Sequence, residues 1–168
     1  MNFEAFTERA RGFVQAAHDM ADGRSHQQLT SEHLLKVLLD DEEGLCANLI
    51  RNSGGDPVAA EAAVDTALDK LPKVEGEGAS GVYIASEAAK NLKSAQDIAK
   101  KAGDEFVTVE RMLLALAMTS GSGVAKILAG AGATPQNLNR AIEALRQGRT
   151  ADSPTAENAY EALKKYTL

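Results

Sequence analysis

Few of the 168 residues are of the types that perform chemistry, and their spacing does not fit known sites. The segment 76–81, GEGASG, matches the G-x-G-x-x-G pattern of dinucleotide-binding loops. That loop binds pyrophosphate only after a buried strand within a βαβ unit, whereas here Pro72 and polar residues precede it and no strand pattern is visible. We interpret the segment as a flexible linker. The chain has no G-x-x-x-x-G-K-[ST] motif either, so we expect no P-loop ATPase centre within it.

The chain has three histidines, His18, His26 and His33, and a single cysteine, Cys46. A structural zinc site needs four ligands, and here no two histidines stand four residues apart and no second cysteine is present. We therefore expect no metal site and predict that the histidines lie on the solvated surface.

Cys46 falls at an apolar position of a helical pattern, which favours a buried thiol without a catalytic base. The acidic run 40–43 lacks the alternating spacing of a calcium loop and is more simply a solvated helix end and turn. No Ser/His/Asp arrangement follows from spacing. The sequence thus predicts no catalytic residues and no enzyme activity for this chain.

The composition indicates a soluble, helical, globular protein of one or two domains. Hydrophobic residues make up 44% and charged residues 25%, with 30 alanines and 18 leucines but only 7 aromatic residues, which favours helices and excludes an all-β domain. The net charge of −6 argues against a nucleic-acid partner. No apolar run approaches the ~20 residues that span a bilayer, so we expect no membrane partner. A single cysteine and no visible secretory signal predict a cytoplasmic location.

The chain contains an internal repeat with a period of 78 residues. Residues 6–63 align without gaps on 84–141, and 12 of the 58 aligned positions are identical. Seven identities are not alanine: Asp19/Asp97, Thr30/Thr108, Glu32/Glu110, Leu35/Leu113, Leu38/Leu116, Gly54/Gly132 and Pro57/Pro135. A long period with two copies indicates a duplicated supersecondary unit rather than a solenoid.

Each copy is predicted to form four helices. The first helices, at about 6–22 and 84–101, have apolar residues at three- and four-residue spacing. The second helices begin at a Thr N-cap, the third end at a glycine, and the fourth begin at a capping residue followed by proline. These paired signals are Thr30 and Thr108, Gly54 and Gly132, Asp56-Pro57 and Thr134-Pro135. The predicted fold is all-α, with two pseudo-symmetric four-helix repeats and a C-terminal linker helix.

The repeats set the expected domain boundaries. Repeat one covers about 5–70 and repeat two about 83–148, joined by a Pro- and Gly-containing linker at 71–82 within one domain, 1–148. Residues 149–168 are expected to form a linker and the start of a further segment. Within this region we expect a flexible polar stretch at 148–155 and a helix at 156–166 that lacks a partner within the chain.

Five segments narrow the interpretation. They are FTERA at 6–10, LTSEHLL at 29–35, LPKVEG at 71–76, GDEF at 103–106 and ALKKY at 162–166. With the double four-helix repeat, they resemble the N-terminal domain of the Clp/AAA+ chaperone family over essentially all 168 residues. The linker and the final LKKY are most similar to the protein-disaggregase branch rather than to the protease-linked branches.

The resemblance implies a domain that binds unfolded or aggregated polypeptide and hands it to a hexameric ring, in a stress-response chaperone. ATP and Mg²⁺, and cooperation with a DnaK-type chaperone system, would belong to the full-length parent, whose first ATPase domain would follow residues 149–168. The isolated chain would be a monomer. The alternative within the same family is a domain that docks adaptors or degrons for a protease-linked unfoldase.

The resemblance also implies a substrate-binding set, namely Thr7, Asp104 and Glu110 with an apolar groove that includes Leu92. The chain departs from related sequences at Arg111, where an apolar residue can stand, and this affects the expected extent of the groove. The residues themselves leave structural roles open.

Glu110 repeats Glu32 in a first helical turn, where a carboxylate stabilises the helix dipole by ~0.3–1 kcal/mol. Leu92 repeats Val14 on a helix face, as a core residue would. Thr7 and Asp104 have no identical counterpart in the other repeat, where Ala85 and His26 stand, so the duplication does not explain them.

A helical nucleic-acid-binding module is the rival from another class, because helix-turn-helix units are also rich in alanine and leucine. Its recognition helix should be basic. The helices that begin at Thr30 and Thr108 offer only Lys36 and Arg111, which argues against this class.

Overall fold

The computed structural model describes residues 2–74 and 81–160, and over these ranges the fold is all-α, as predicted. Repeat one forms α1 (Glu8–Gly23), α2 (Ser31–Leu39), α3 (Leu45–Asn52) and α4 (Pro57–Asp69). Repeat two forms α5 (Ser86–Lys101), α6 (Val109–Met118), α7 (Gly123–Gly130) and α8 (Pro135–Arg146). A short 3-10 turn, Phe3–Ala5, precedes α1, and residues 156–160 are also helical. Most of the GEGASG segment and the ALKKY segment lie outside the described residues.

The capping residues fix most helix starts. Thr30 accepts a hydrogen bond from the His33 backbone, Asp56 accepts from Val58 and Ala59, and Thr134 accepts from Asn137. Each bond satisfies a backbone N–H that the helix leaves free. Thr108 occupies the N-cap position of α6 but makes no side-chain cap bond, so the predicted cap there is wrong.

Two short parallel pairings connect the repeats across a pseudo-twofold axis. Strand β1 (Gln28–Leu29) pairs with β2 (Tyr83–Ile84), and Phe6 forms an equivalent bridge to Val107. The two pairings are equivalent under the 78-residue offset of the repeat, which aligns Phe6 with Ile84 and Leu29 with Val107. The pair Leu29–Ile84 therefore corresponds to the pair Val107–Phe6. In each case the segment before a repeat's second helix pairs with the segment before the other repeat's first helix. The sequence shows no strand pattern here because two-residue strands are too short to display one.

The loops that precede α4 and α8 meet closely at a second point between the repeats. The backbone N–H of Asp56 donates to the Ala131 carbonyl at 2.7 Å. A Cβ added at Gly55 would lie 2.8 Å from that same carbonyl oxygen, and Gly132 has φ +87° and faces the Gly55 Cα. Glycine is required here because the two backbones touch.

Helices α2 and α6 lie at the centre of the core. Their buried apolar residues are Leu34, Leu35, Val37, Leu38 and Leu39 in α2, and Val109, Met112, Leu113, Leu114, Ala115, Leu116 and Ala117 in α6. Cys46 is buried as predicted, and burial raises the pKa of its thiol. Among the described helices none is by itself long and apolar enough to cross a bilayer; α6 and α7 meet that criterion only as a pair bent by 99°.

Two histidines are part of the interior, so their predicted place on the solvated surface is wrong. His26 and His33 are 4% and 0% exposed, and His26 Nδ1 lies 2.8 Å from His33 Nε2. The Thr30 backbone N–H donates to His33 Nδ1 at 3.0 Å, which completes the capping box of α2. Burial, together with the neighbouring charges of His26 and Arg24, lowers the pKa of His33 to about 4. The histidine pair is therefore neutral at pH 7.

Candidate functional site

Thr7 is buried at the N-terminus of α1 and has two roles. Its hydroxyl accepts a hydrogen bond from the Ala10 backbone N–H at 3.1 Å, which caps the helix. The same hydroxyl donates to Glu157 Oε2 at 2.6 Å. The pairing between the repeats fixes its position, because the Thr7 backbone N–H donates to the Val107 carbonyl at 2.9 Å.

Asp104 lies in the loop between α5 and α6, with its carboxylate fully buried. Arg146 Nη1 donates to it at 2.6 Å and Arg111 Nε at 3.1 Å, and the Ala151 backbone N–H donates at 3.0 Å. Burial opposes ionisation, but these hydrogen bonds outweigh it and lower the pKa of Asp104. Asp104 is therefore an ionised and fully paired carboxylate.

Glu110 lies in the first turn of α6 and is also fully buried. Arg146 Nε donates to its Oε2 at 3.0 Å, and the Tyr160 hydroxyl donates to the same oxygen. Arg146 in addition donates to the Thr108 hydroxyl at 2.9 Å. One guanidinium group from the end of α8 thus holds together the carboxylates of Asp104 and Glu110 and the N-cap threonine between them.

Residues 149–160, which we call the C-terminal segment, lie over this cluster. The Ala151 carbonyl accepts from the backbone N–H groups of Glu105 and Phe106 at 2.9 and 3.1 Å. The Pro154 carbonyl accepts from the Glu8 N–H at 2.8 Å. The predicted flexible stretch at 148–155 and the predicted helix without a partner are therefore wrong for the described residues, since the segment is bonded to both repeats.

The side chains of the C-terminal segment complete the cover. Tyr160 is 2% exposed and packs with Ala151, Ala156 and Leu145. The guanidinium carbon of Arg146 stands 5.6 Å from the centre of the Tyr160 ring, a cation–π contact. Sequence reasoning missed these residues because Arg146 and Tyr160 have no distinguishing local pattern, and the residues before 156 look like a polar linker.

The charges at the site balance only without the C-terminal segment. Beneath it, Asp104 and Glu110 face Arg111 and Arg146, all of them buried. The segment adds a third buried carboxylate, Glu157, whose pKa is raised by burial and by the nearby charge of Glu110.

Leu92 does not join this cluster. It is 1% exposed and lines a gap between α2, α5 and α6 with Leu34, Met112 and Leu116 that is too narrow for a water molecule. The structure thus brings Thr7, Asp104 and Glu110 together and places Leu92 in the core. Arg111, where we expect the chain to depart from the family pattern, is buried and pairs with Asp104. Whether any of these residues binds substrate stays a prediction.

A groove of about 390 Å³ runs between α3 and α8 beside the site. Leu45 and Leu49 line it from α3 and Leu145 from α8, with amide side chains such as Asn48 among them, and Tyr160 forms part of its wall. Tyr160 therefore stands between the groove and the polar cluster. Across 2–74 and 81–160, no three His, Cys, Asp or Glu side chains are grouped so as to hold a metal ion.

Two interlocked four-helix repeats with a buried ionic cluster at the start of α6 define a class of double-repeat helical domains. The family profile described as "Clp repeat (R) N-terminal domain" matches residues 5–131. The chain therefore belongs to the Clp N-terminal domain family, and the predicted resemblance is confirmed.

The chain is similar to chaperone protein ClpB of Rhodopseudomonas palustris, with 55% identity over 166 residues that cover 99% of this chain and 19% of the relative. ClpB of Mesorhizobium japonicum is 54% identical over the same shares. The chain thus spans about a fifth of the length of these curated relatives. Among solved structures, the Hsp104 N-terminal domain from Candida albicans shares the fold, with a TM-score of 0.78, 22% identity and coverage of 90% of this chain and 97% of that one.

Proposed function

We propose that this domain binds unfolded or aggregated polypeptide at the surface of Thr7, Asp104 and Glu110, and hands it to the hexameric ring of a ClpB-like disaggregase. One observation carries the proposal: this surface already holds a stretch of polypeptide, the C-terminal segment. The contacts include the main-chain groups of Ala151 and Pro154, which every polypeptide possesses. The similarity to ClpB chaperones over 99% of the chain supports the same role.

In this proposal ATP and Mg²⁺ bind to other domains of the parent protein. Cooperation with a DnaK-type chaperone is likewise a property of the full-length parent. The part played by this chain's own residues is recognition. The backbone N–H of Glu8 at the start of α1 and the Asp104 carboxylate bond to main-chain groups of the segment, and such hydrogen bonds do not depend on substrate sequence. This is the chemistry that a receptor for many different unfolded chains needs.

The test is an NMR titration of the whole chain with reduced, carboxymethylated α-lactalbumin, which stays unfolded. We expect the amide signals of Thr7, Asp104, Phe106 and Val109 to shift, because they surround the proposed surface. Native α-lactalbumin is the control and should shift none of them. Shifts confined to residues away from this surface, or no shifts at all, would contradict the proposal.

A further inference from the structure

The C-terminal segment lies on its surface as a bound peptide ligand would. Ala151 uses both main-chain groups, donating to Asp104 and accepting from Glu105 and Phe106. Its side chain is fully buried, so this position accepts a small apolar residue in a non-helical segment. Ala151 thus holds the segment to the loop before α6 through its main chain, ahead of the short helix at 156–160.

Glu157 gives the segment a carboxyl anchor. Its Oε2 accepts from the Thr7 hydroxyl at 2.6 Å and from the Val109 backbone N–H at 3.0 Å. Val109 is the first residue of α6, and free N–H groups at a helix N-terminus favour an anion. The guanidinium groups of Arg111 and Arg146 are matched by the carboxylates beneath the segment, and burial with the nearby charge of Glu110 raises the pKa of Glu157. This position therefore recognises a carboxyl side chain through the two donors, the Thr7 hydroxyl and the Val109 N–H, and not through net charge.

The C-terminal segment does not satisfy every polar atom that it buries. One oxygen of Glu110 and one of Glu157, Oε1 in each case, are buried without a hydrogen-bond partner among the described residues. A buried carboxylate oxygen left unsatisfied opposes burial. A competing segment that donates to Glu110 Oε1, or that leaves this oxygen solvated, can therefore replace the C-terminal segment, whose own Glu157 Oε1 is solvated on release.

We propose that this surface takes polypeptide segments with a small apolar residue at the Ala151 position and a carboxyl side chain, held by two hydrogen-bond donors, at the Glu157 position, and that residues 151–160 fill it in cis. A substrate must then displace the chain's own segment before it binds. The inference rests on the proposed function, because it names the class of polypeptide that the site takes. It also places Tyr160 as the residue whose release joins the site to the groove between α3 and α8.

The test uses the whole chain and a fluorescein-labelled peptide with the sequence of residues 149–160. Glu157→Ala removes the anchor, and Glu143→Ala, which removes an exposed carboxylate from α8, is the matched control. We expect the Glu157→Ala protein to bind the peptide at least tenfold more tightly than the wild type or Glu143→Ala does, because its own segment competes less. A version of the peptide with alanine at position 157 should bind that protein at least tenfold more weakly. Equal affinity of the two peptides, or of the wild type and Glu157→Ala, overturns the inference.

A second variant is used if circular dichroism shows that the Glu157→Ala protein does not fold. Tyr160→Phe removes only the hydroxyl that bonds to Glu110 and should increase peptide affinity in the same direction by a smaller factor. Hydrogen exchange at the Phe106 and Val109 amides, which donate to the segment, should be faster in either variant. Unchanged exchange together with unchanged affinity counts against the cis contact.

Unfolded α-lactalbumin separates this inference from the proposed function. If it shifts the Thr7 and Asp104 signals with equal affinity in the wild type and in Glu157→Ala, the inference fails and the proposed function stands. If it shifts signals in neither protein although the peptide of residues 149–160 binds, the cis contact stands and the proposed substrate role fails. Tighter binding of both ligands by Glu157→Ala supports both.

Discussion

The segments 26–33 and 104–111 lead into equivalent helices of the two repeats, α2 and α6, yet different interactions stabilise them. In the first repeat, two neutral histidines bond to each other and His33 closes a capping box with Thr30. In the second, the aligned positions hold an aspartate and an arginine, and Arg146 from α8 joins them in an ionic cluster. A duplicated backbone can thus keep its helix starts while one copy stabilises them locally and the other through distant charges.

The difference determines which repeat contacts the C-terminal segment. The neutral pair in repeat one satisfies most of its hydrogen-bonding groups within residues 26–33. The charged cluster in repeat two bonds to residues 146–160 as well, so it is the copy that binds an additional segment of chain. Four predictions test this contrast, from the largest expected effect to the smallest.

Arg146→Met should destabilise the protein by about 3–5 kcal/mol, since it leaves the buried carboxylates of Asp104 and Glu110 without their shared cation. Urea unfolding followed by circular dichroism measures the change. Arg140→Met on the same helix, where the side chain is exposed, should cost less than about 0.5 kcal/mol. Similar losses for the two variants would mean that the ionic cluster contributes little.

The two aligned threonines should respond differently to removal of the hydroxyl. Thr30→Val removes a helix cap and should cost about 1 kcal/mol. Thr108→Val removes the buried acceptor of an Arg146 hydrogen bond and should cost about 1.5–3 kcal/mol. A double-mutant cycle with Arg146→Met should show coupling for Thr108 and none for Thr30. Equal coupling for both threonines would refute the contrast between the repeats.

The repeats should also differ in the pH range where they lose stability. The pKa of His33 is lowered to about 4 from 6.5. The contribution of neutral His33 to the free energy of unfolding is therefore complete above pH 6.5 and is lost progressively as the pH falls toward 4. Between pH 7 and 5 the loss should be at most about 2 kcal/mol. The pKa of Asp104 is lowered, so the stability that its ionised carboxylate contributes is lost only when the pH falls below the usual aspartate pKa of 3.8.

Urea titrations at several pH values measure both ranges. His33→Gln keeps a side chain that can complete the capping box and should flatten the slope between pH 6.5 and 4. The slope below pH 3.8 should remain in this variant. An unchanged slope above pH 4 would assign the titration to groups other than His33.

The smallest effect is expected at Lys36, which aligns with the buried Leu114 of repeat two. Lys36 Nζ lies 2.8–3.2 Å from the carboxylates of Asp40, Glu61 and Asp65, all of them partly exposed. Lys36 itself is buried, but its carboxylate partners are partly exposed, so each ion pair contributes little. Lys36→Leu, which puts an apolar side chain at this buried position, should therefore change the free energy of unfolding by less than about 1 kcal/mol. Measurements in 0.1 and 1 M salt should differ less for the variant than for the wild type. A loss above about 2 kcal/mol would show that this cluster behaves as a buried one.

Much of the fold could be predicted because its signals are local. The Asp56-Pro57 and Thr134-Pro135 pairs mark the starts of α4 and α8, since a cap acts within three residues of its own position. The site was predicted less completely. The family resemblance points to Thr7, Asp104 and Glu110, but Glu157 lies 150 residues from Thr7 along the chain, and no local pattern links them.

The sequence by itself determined the helical class, the duplication and most helix starts, because these follow from helix propensity, three- and four-residue spacing and caps. Tertiary structure decided that Thr108 binds Arg146 instead of capping α6, that two histidines are buried and that residues 149–160 cover the site. A buried polar group takes whichever partner the packed helices bring within hydrogen-bonding distance, and that partner can lie anywhere in the chain.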